Sequence, residues 1–128
     1  MVVSTYAEKR WEDLVACLRS LEEQTLRPLE TIVVVDHNPD LLKRTRNAFP
    51  DASVLANARS RGLSGARNTG AAAARGEIVA FIDDDARAEQ GWLEQLEACF
   101  AEPGVVGAGG ALIPRWEEME ARWIPHEF

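Results

Sequence analysis

A chain of 128 residues with 46% hydrophobic content has the size of one ordinary domain and can bury one core, which excludes a disordered polymer. Its formal net charge of -7 argues against a nucleic-acid partner, which would need a surplus of Lys and Arg on one face; an anionic ligand would have to be met locally. No run approaches the roughly 18 apolar residues of a membrane span, and Cys17 and Cys99, without metal-ligand spacing and each inside a helical pattern, are expected as buried reduced thiols in a cytoplasmic chain.

In chain order, "VVSTY" is a short β-branched run, followed by Trp11, Leu14, Val15, Leu18 and Leu21 at helical spacing. "ETIVVVD", Glu30 to Asp36, is a continuous apolar run that suits a strand covered on both faces. Asn38 and Pro39 open a second helix, with Leu41, Leu42 and Ala48 expected on its inner face and Pro50 beyond its end. "ASVLAN" reads as a third strand, "SGARNTGAAAARG" as a third helix closed by Gly76, and "EIVAFID" as a fourth strand. A last helix, about Gln90 to Phe100, places Leu93, Leu96 and Phe100 on one side. Strand and helix alternate four times, which makes the class α/β with a mostly parallel sheet.

Ligands of open parallel sheets bind outside the carboxyl ends of the strands. The segments there are "STYAE", "DHNPD", "NARSRGLSGARN" and "DDDA", all polar or charged, whereas the opposite strand ends are plain. Polarity alone is ordinary for βα loops, but two of these segments carry more than polarity. The loop from Asn57 to Asn68 gathers Arg59, Arg61 and Arg67 with Gly62 and Gly65, the makings of an anion site: close backbone approach, a helix start, and the forked donor of Arg67. Neither GxxxxGK[ST] nor GxGxxG is present. The small residues from Gly70 to Ala74 are expected to let their helix pack closely on the sheet.

In "DDDA", a strand continued through Asp85 would put Asp83 and Asp85 on one side and Asp84 on the other. Two carboxylates sharing one spot repel unless a proton or a cation joins them, and hard oxygen ligands suit Mg²⁺ or Mn²⁺. Such an ion keeps open positions that a diphosphate fills, so Asp83 and Asp85 would serve a ligand through the metal while Arg67 serves it directly.

These residues resemble a known family. "STY" after the first strand, "VVVD" ending the second, "GLSGARNTGAAAARGEIVAFIDDD" and "GWLEQL" are similar to family 2 glycosyltransferases of the GT-A fold, over nearly the whole chain. The tail, "VGAGGALIPRW" with "WIPHEF", looks closest to the prokaryotic glucosyl-dolichyl phosphate glucuronosyltransferase-like branch. The resemblance implies a nucleotide-sugar donor, usually a UDP-sugar, inverting transfer, and a polyprenyl-phosphate or glycan acceptor. It places Asp83 and Asp85 as the metal-binding DxD acids. Thr5, Tyr6, Glu8, Asp36, Arg67, Asp83 and Asp84 become the nucleotide-sugar-binding set, with Asp36 facing the base and Arg67 near the diphosphate.

The chain departs from that pattern in having Ala7 where Asn is frequent and His37 where a second Asp is frequent; His37 reads as a loop residue. It also stops at Phe128, before the region where inverting members supply the carboxylate base and much of the acceptor site. The expectation is one GT-A domain over 1–128 that is the donor-binding part of a longer enzyme, with the base beyond Phe128. Glu117, Glu118 and Glu120 read as solvated acids rather than substitute bases. The apolar stretch from Val105 to Ile113, with Trp116 and Trp123 behind it, suggests a homodimer. Alternative readings are a non-catalytic nucleotide-sugar-binding module or inactive fragment, a nucleotidyltransferase, which would want a Gly-rich basic loop after the first strand, and a receiver domain, whose late Lys has no counterpart after Lys43.

Overall fold

The computed structural model describes residues 1–114. Among these, four strands form one parallel sheet in the order β3-β2-β1-β4: β1 (Val2–Thr5), β2 (Ile32–Val35), β3 (Ser53–Ala56) and β4 (Phe81–Asp83). Between them run a 3-10 turn (Glu8–Arg10) and the helices α1 (Trp11–Glu22), α2 (Pro39–Ala48) and α3 (Leu63–Ala73); α4 (Trp92–Cys99) follows β4. The expected α/β alternation is the observed one. No helix among the described residues is long and apolar enough to cross a membrane.

The unbroken run Ile32–Val35 is buried at every position because the sheet is covered on both faces. Alternate residues go to opposite layers. Val3, Val33 and Val35 pack with Leu14, Cys17, Leu18 and Leu21 of α1 and Leu41 of α2, while Val2, Ile32 and Val34 pack with Ala66 of α3 on the other face. Gly70 explains how α3 comes so near: a Cβ there would collide with the side chain of Val2 and press on that of Val34. The small-residue expectation for this helix is met at that point.

Helix α2 starts as its residues dictate, with the Asn38 Oδ1 accepting from the Leu41 N–H at 3.0 Å and Pro39 in the first turn. Ala48, expected inside, is exposed. Thr45 and Phe49 face the sheet instead: Thr45 is fully buried, its hydroxyl donating to the Leu41 carbonyl at 2.7 Å, and Phe49 packs against the core and the Trp11 ring.

Three boundaries and a second burial also differ from the expectations. Strand β4 begins at Phe81 rather than Glu77: Val2 pairs with Phe81, and the Val2 N–H donates to the Ala80 carbonyl at 2.8 Å. Helix α3 ends at Ala73, not at Gly76; Ala74 is extended, and the next N–H, of Arg75, is taken by the Glu30 carboxylate at 2.8 Å. Strand β4 also stops at Asp83 and does not run on to Asp85. Finally, Cys99 is exposed, since α4 leans on the core through Trp92 and Leu93, with Leu96 and Phe100 half-buried along the same side. Cys17 is buried as expected. Val106, Leu112 and Ile113 are exposed; Trp116, Trp123, Glu117, Glu118 and Glu120 lie outside the described residues.

Candidate functional site

The strand order reverses at β1. Strands β2 and β3 are added on one side of it and β4 on the other, which makes the carboxyl edge between β1 and β4 the switch point where an open parallel sheet carries its crevice; the segments after both strands run to the face that α1 covers, and α3 covers the other. The residues flanking that crevice are Tyr6 to Arg10 after β1 and Asp83 to Asp85 after β4. Asp36, after β2, and the start of α3 stand at the same edge.

The acidic triplet is held by two arginines. Arg67, on the second turn of α3, donates from Nη2 to Asp83 Oδ1 at 2.7 Å. The chain then turns, with the Ala86 N–H donating to the Asp83 carbonyl at 3.0 Å, and the turn carries Asp84 and Asp85 onto one guanidinium. Arg10 Nη1 donates to Asp84 Oδ1 at 2.7 Å and to Asp85 Oδ2 at 2.9 Å. The alternation expected from a continued strand is thus replaced: Asp84 and Asp85 share a cation, and Asp83 has its own. Relief of repulsion between adjacent carboxylates accounts for the arrangement.

The two clamps differ in burial. The Asp84 side chain is only 4% exposed, whereas those of Asp83 and Asp85 are each half-exposed. The hydrogen bond to Asp84 outweighs the lost hydration of Arg10 and binds its proton more tightly than usual. Arg10 also lies over the Tyr6 ring, 5.3 Å from its centroid. Beneath the turn, the Cys17 thiol contacts the Asp83 carbonyl, and burial, reinforced by the three carboxylates, pushes its pKa up to about 12.

Behind the triplet, residues 88–93 are fastened to α1 and to Gln24 just past its end. The Ala88 N–H donates to Ser20 Oγ at 3.0 Å, and buried Gln24 donates to the Glu89 carbonyl at 2.7 Å while accepting from the Leu93 N–H at 2.9 Å. These bonds fix the acidic turn from below, since the segment that leaves it cannot drift from α1.

Asp36 organises the other flank. Its Oδ1 accepts from Asn57 Nδ2 at 2.6 Å and lies 2.7 Å from His37 Nδ1; its Oδ2 accepts from the Gly62 N–H at 2.8 Å. Burial alone would raise its pKa, but the bonds from Asn57, His37 and Gly62 overcome that and lower it. Asn57, buried, also donates to the Ser60 carbonyl at 3.0 Å, so one amide and one carboxylate set the loop that leads into α3. Gly62 has φ +119, a conformation that favours glycine, and offers no side chain to cap the helix. The first turn of α3 therefore keeps backbone N–H donors at the crevice edge.

Of the other expected site residues, Thr5 is buried at the end of β1 and Tyr6 is exposed. Glu8 turns to Arg44 at 2.8 Å, and Arg44 in turn covers the Trp11 ring. Arg59 and Arg61 are exposed and make no ion pair among the described residues, so Arg67 is the member of that loop the fold brings to the acids. Residue-by-residue reading missed Arg10, Asn57, Ser20 and Gln24. A signal for Arg10 was present: three adjacent acids need cations, and Arg10 lies in the loop facing them across the switch point.

Three buried side-chain oxygens among the described residues have no hydrogen-bond partner: Ser4 Oγ, Thr5 Oγ1 and Asp84 Oδ2. All belong to the last residues of β1 or to the turn after β4. A buried polar atom left unpaired costs about 1–3 kcal/mol; Ser4 and Thr5, consecutive in β1, turn to opposite faces of the sheet, and Ser4 pairs in register with Asp83. A groove of about 580 Å³ over Leu55, Ala56, Thr69 and Ala72 lies on the far flank at β3, with Arg59 as its charged wall. It lacks this chemistry.

The sequence profile of Glycosyl transferase family 2 matches residues 1–127. This chain belongs to that family. It is 36% identical over 132 aligned residues to the glucosyl-dolichyl phosphate glucuronosyltransferase of Haloferax volcanii, an alignment spanning 100% of the chain and 42% of the relative. It is 40% identical over 83 residues to the pre-mycofactocin glycosyltransferase of Mycobacterium tuberculosis, covering 63% of the chain and 18% of that relative. The chain thus spans less than half the length of these relatives. Among solved structures, residues 1–349 of S. aureus TarS in complex with UDP superpose with a TM-score of 0.59 at 22% identity, over 87% of this chain and 37% of that one. The fold is therefore GT-A, and the nucleotidyltransferase and receiver-domain alternatives fall away.

Proposed function

We propose that this chain forms the donor-binding part of a glycosyltransferase that uses a nucleotide sugar, a UDP-sugar by preference, and transfers the sugar with inversion to an acceptor hydroxyl. The observation that carries the reading is the β1/β4 switch point, where three acids are held by two arginines from opposite faces of the sheet in a chain of this family.

Asp36 has one acceptor direction left on Oδ2, suited to a base N–H, and the rigid Asn57–Asp36–Gly62 bonding keeps it in place. Thr5, Tyr6 and Glu8 border the nucleotide, with Tyr6 offering an exposed ring face. Arg67 has donors beyond the Nη2 that holds Asp83, and with the open N–H groups of α3 it faces the diphosphate. Asp83 and Asp85, with Asp84 beside them, would hold a divalent cation, Mn²⁺ or Mg²⁺. Their hard oxygen donors and the unsatisfied Asp84 Oδ2 suit such an ion; among the described residues no three His, Cys, Asp or Glu side chains converge on one point, so a bound diphosphate would have to complete its shell. When bound, the ion supplies neutralisation of the charge that builds on the departing nucleoside diphosphate. Arg67 and the helix start add fixed donors to that same charge.

In the step itself the acceptor oxygen, of a glycan hydroxyl or of a polyprenyl phosphate, bonds to the anomeric carbon as the bond from that carbon to the diphosphate oxygen breaks, and with a hydroxyl acceptor a base takes the proton. We assign the base and the acceptor site, for a polyprenyl phosphate or a glycan, to chain outside these residues. The same reading includes a cytoplasmic setting and self-association through the exposed stretch from Val105 to Ile113, which light scattering tests.

Calorimetry with UDP tests the donor site. Binding with Mn²⁺ present, its loss in EDTA, and the disappearance of that difference in Asp85→Asn are the expected results. Equal UDP affinity with Mn²⁺ and with EDTA would reject the metal-bridged site, and no UDP binding under either condition would reject the donor site itself.

A further inference from the structure

Arg10 reaches across the switch point from the loop after β1 and places a single nitrogen between two carboxylates from the loop after β4. That is the position of a bridging cation. One of its two partners, Asp84, is almost wholly buried and would be a costly isolated charge without it. The Arg10 side chain itself is 30% exposed, comes from a one-turn 3-10 segment and rests on an exposed tyrosine ring, so little besides the acids holds it. Three carboxylates face two guanidiniums, leaving one negative charge on the cluster. A divalent ion arriving alone must either share Asp84 and Asp85 with a cation 2.7–2.9 Å from their oxygens or expel it into water. An ion arriving with a diphosphate gives the expelled guanidinium an anionic partner.

Resting on the metal-bridged donor site proposed above, we propose that Arg10 is the resident counter-ion of Asp84 and Asp85, which the divalent ion displaces and which the donor's diphosphate then receives. Arg10 is a positioning residue in this account. It keeps the acidic turn folded while no ligand is bound, and it makes metal and nucleotide bind together rather than in sequence. Arg67 does not duplicate it, because Arg67 holds the separate acid Asp83 from the opposite face of the sheet.

The test measures free Mn²⁺ by electron paramagnetic resonance during titration of the full chain, with and without UDP, for wild type, Arg10→Gln and Arg10→Lys. Removing a charge that competes at contact distance should tighten the binding of Mn²⁺ alone by about tenfold in Arg10→Gln. The factor by which UDP enhances Mn²⁺ binding should shrink to a similar degree, and Arg10→Lys, which keeps a cation, should stay near wild type. If Arg10→Gln is loosely folded, its melting temperature should still rise more with added Mn²⁺ than that of wild type, through linkage. Equal Mn²⁺ affinity in wild type and Arg10→Gln, or an undiminished UDP effect, would overturn the assignment while leaving the metal-bridged site standing. Absence of Mn²⁺ uptake by every variant, with or without UDP, would remove both.

Discussion

Replacing Asp36 by Ala removes the acceptor that ties the end of β2 to the loop entering α3. The Gly62 N–H loses its 2.8 Å partner and buried Asn57 loses its 2.6 Å one, while His37, on the exposed side, exchanges the carboxylate for water. Asn57 retains the Ser60 carbonyl, so its loss is partial. Hydrogen bonds to a charged group contribute about 1.5–3 kcal/mol each, and with His37 discounted the expected loss is about 2–4 kcal/mol, a large share of the roughly 5–15 kcal/mol that a domain has. Urea denaturation followed by tryptophan fluorescence measures it. The same substitution loosens residues 57–62 and should weaken UDP binding about tenfold, equivalent to about 1.4 kcal/mol. The pH dependence has a definite sign. The folded pKa of Asp36 lies below the unfolded value of about 3.9, so its stabilisation is complete above that value and is lost as pH falls through the folded one. The stability gap between wild type and Asp36→Asn should therefore be constant near neutrality and close in acid. An Asp36→Ala variant within about 0.5 kcal/mol of wild type, the range of an ordinary surface change, would refute the reasoning, as would a gap that widens in acid.

Gly70→Ala should destabilise by about 1–3 kcal/mol despite the better helix propensity of Ala, because the added methyl meets Val2 where α3 rests on the sheet; a thermal melt checks it. Arg67→Ala should leave stability within about 1 kcal/mol of wild type, since the Asp83 pair is half-exposed, yet weaken UDP binding measurably by calorimetry. In the native protein Cys99 should react promptly with a disulfide reagent and Cys17 only on unfolding, as Cys99 is exposed and Cys17 is buried with its pKa pushed up to about 12; a change in absorbance counts both. The 128 residues alone should bind donor but transfer sugar far more slowly than a longer parent that includes the base, which typically contributes about 10²–10⁴-fold; equal turnover would place the base within these residues.

The elements that were legible in the sequence are those fixed by local pattern. The burial of Ile32, Val33, Val34 and Val35 was visible as the run "IVVV", the α2 start in Asn38-Pro39, and the close approach of α3 in the small residues around Gly70. What escaped depended on partners distant in sequence. The extent of β4 follows its register with β1, the exposure of Ala48 follows from Thr45 and Phe49 filling the layer first, and that of Cys99 from how little of α4 reaches the core. The site divides the same way. Asp36, Arg67 and the acid triplet announce themselves by position after strands, but Asn57 reads as a turn residue until it is seen bonded to Asp36, and the geometry of Asp84 and Asp85 is decided by Arg10, 74 positions before Asp84.

The electrostatics of the crevice follow from that long-range pairing rather than from composition. A net charge of -7 suggests a surface hostile to diphosphate. Yet at the carboxyl edge the triplet is largely neutralised by Arg10 and Arg67, the Asp36 charge is spent on three donors, and the start of α3 points its positive end outward. Screening confines each remote surface acid to about 10 Å at 0.1 M salt, so the field a ligand meets there is set by these few groups. Compensation of this kind lets an acidic chain carry three adjacent carboxylates without a strongly negative field at that edge. Its cost is visible in the same place: Asp84 Oδ2, Thr5 Oγ1 and Ser4 Oγ remain unsatisfied where an apolar edge would have been more stable.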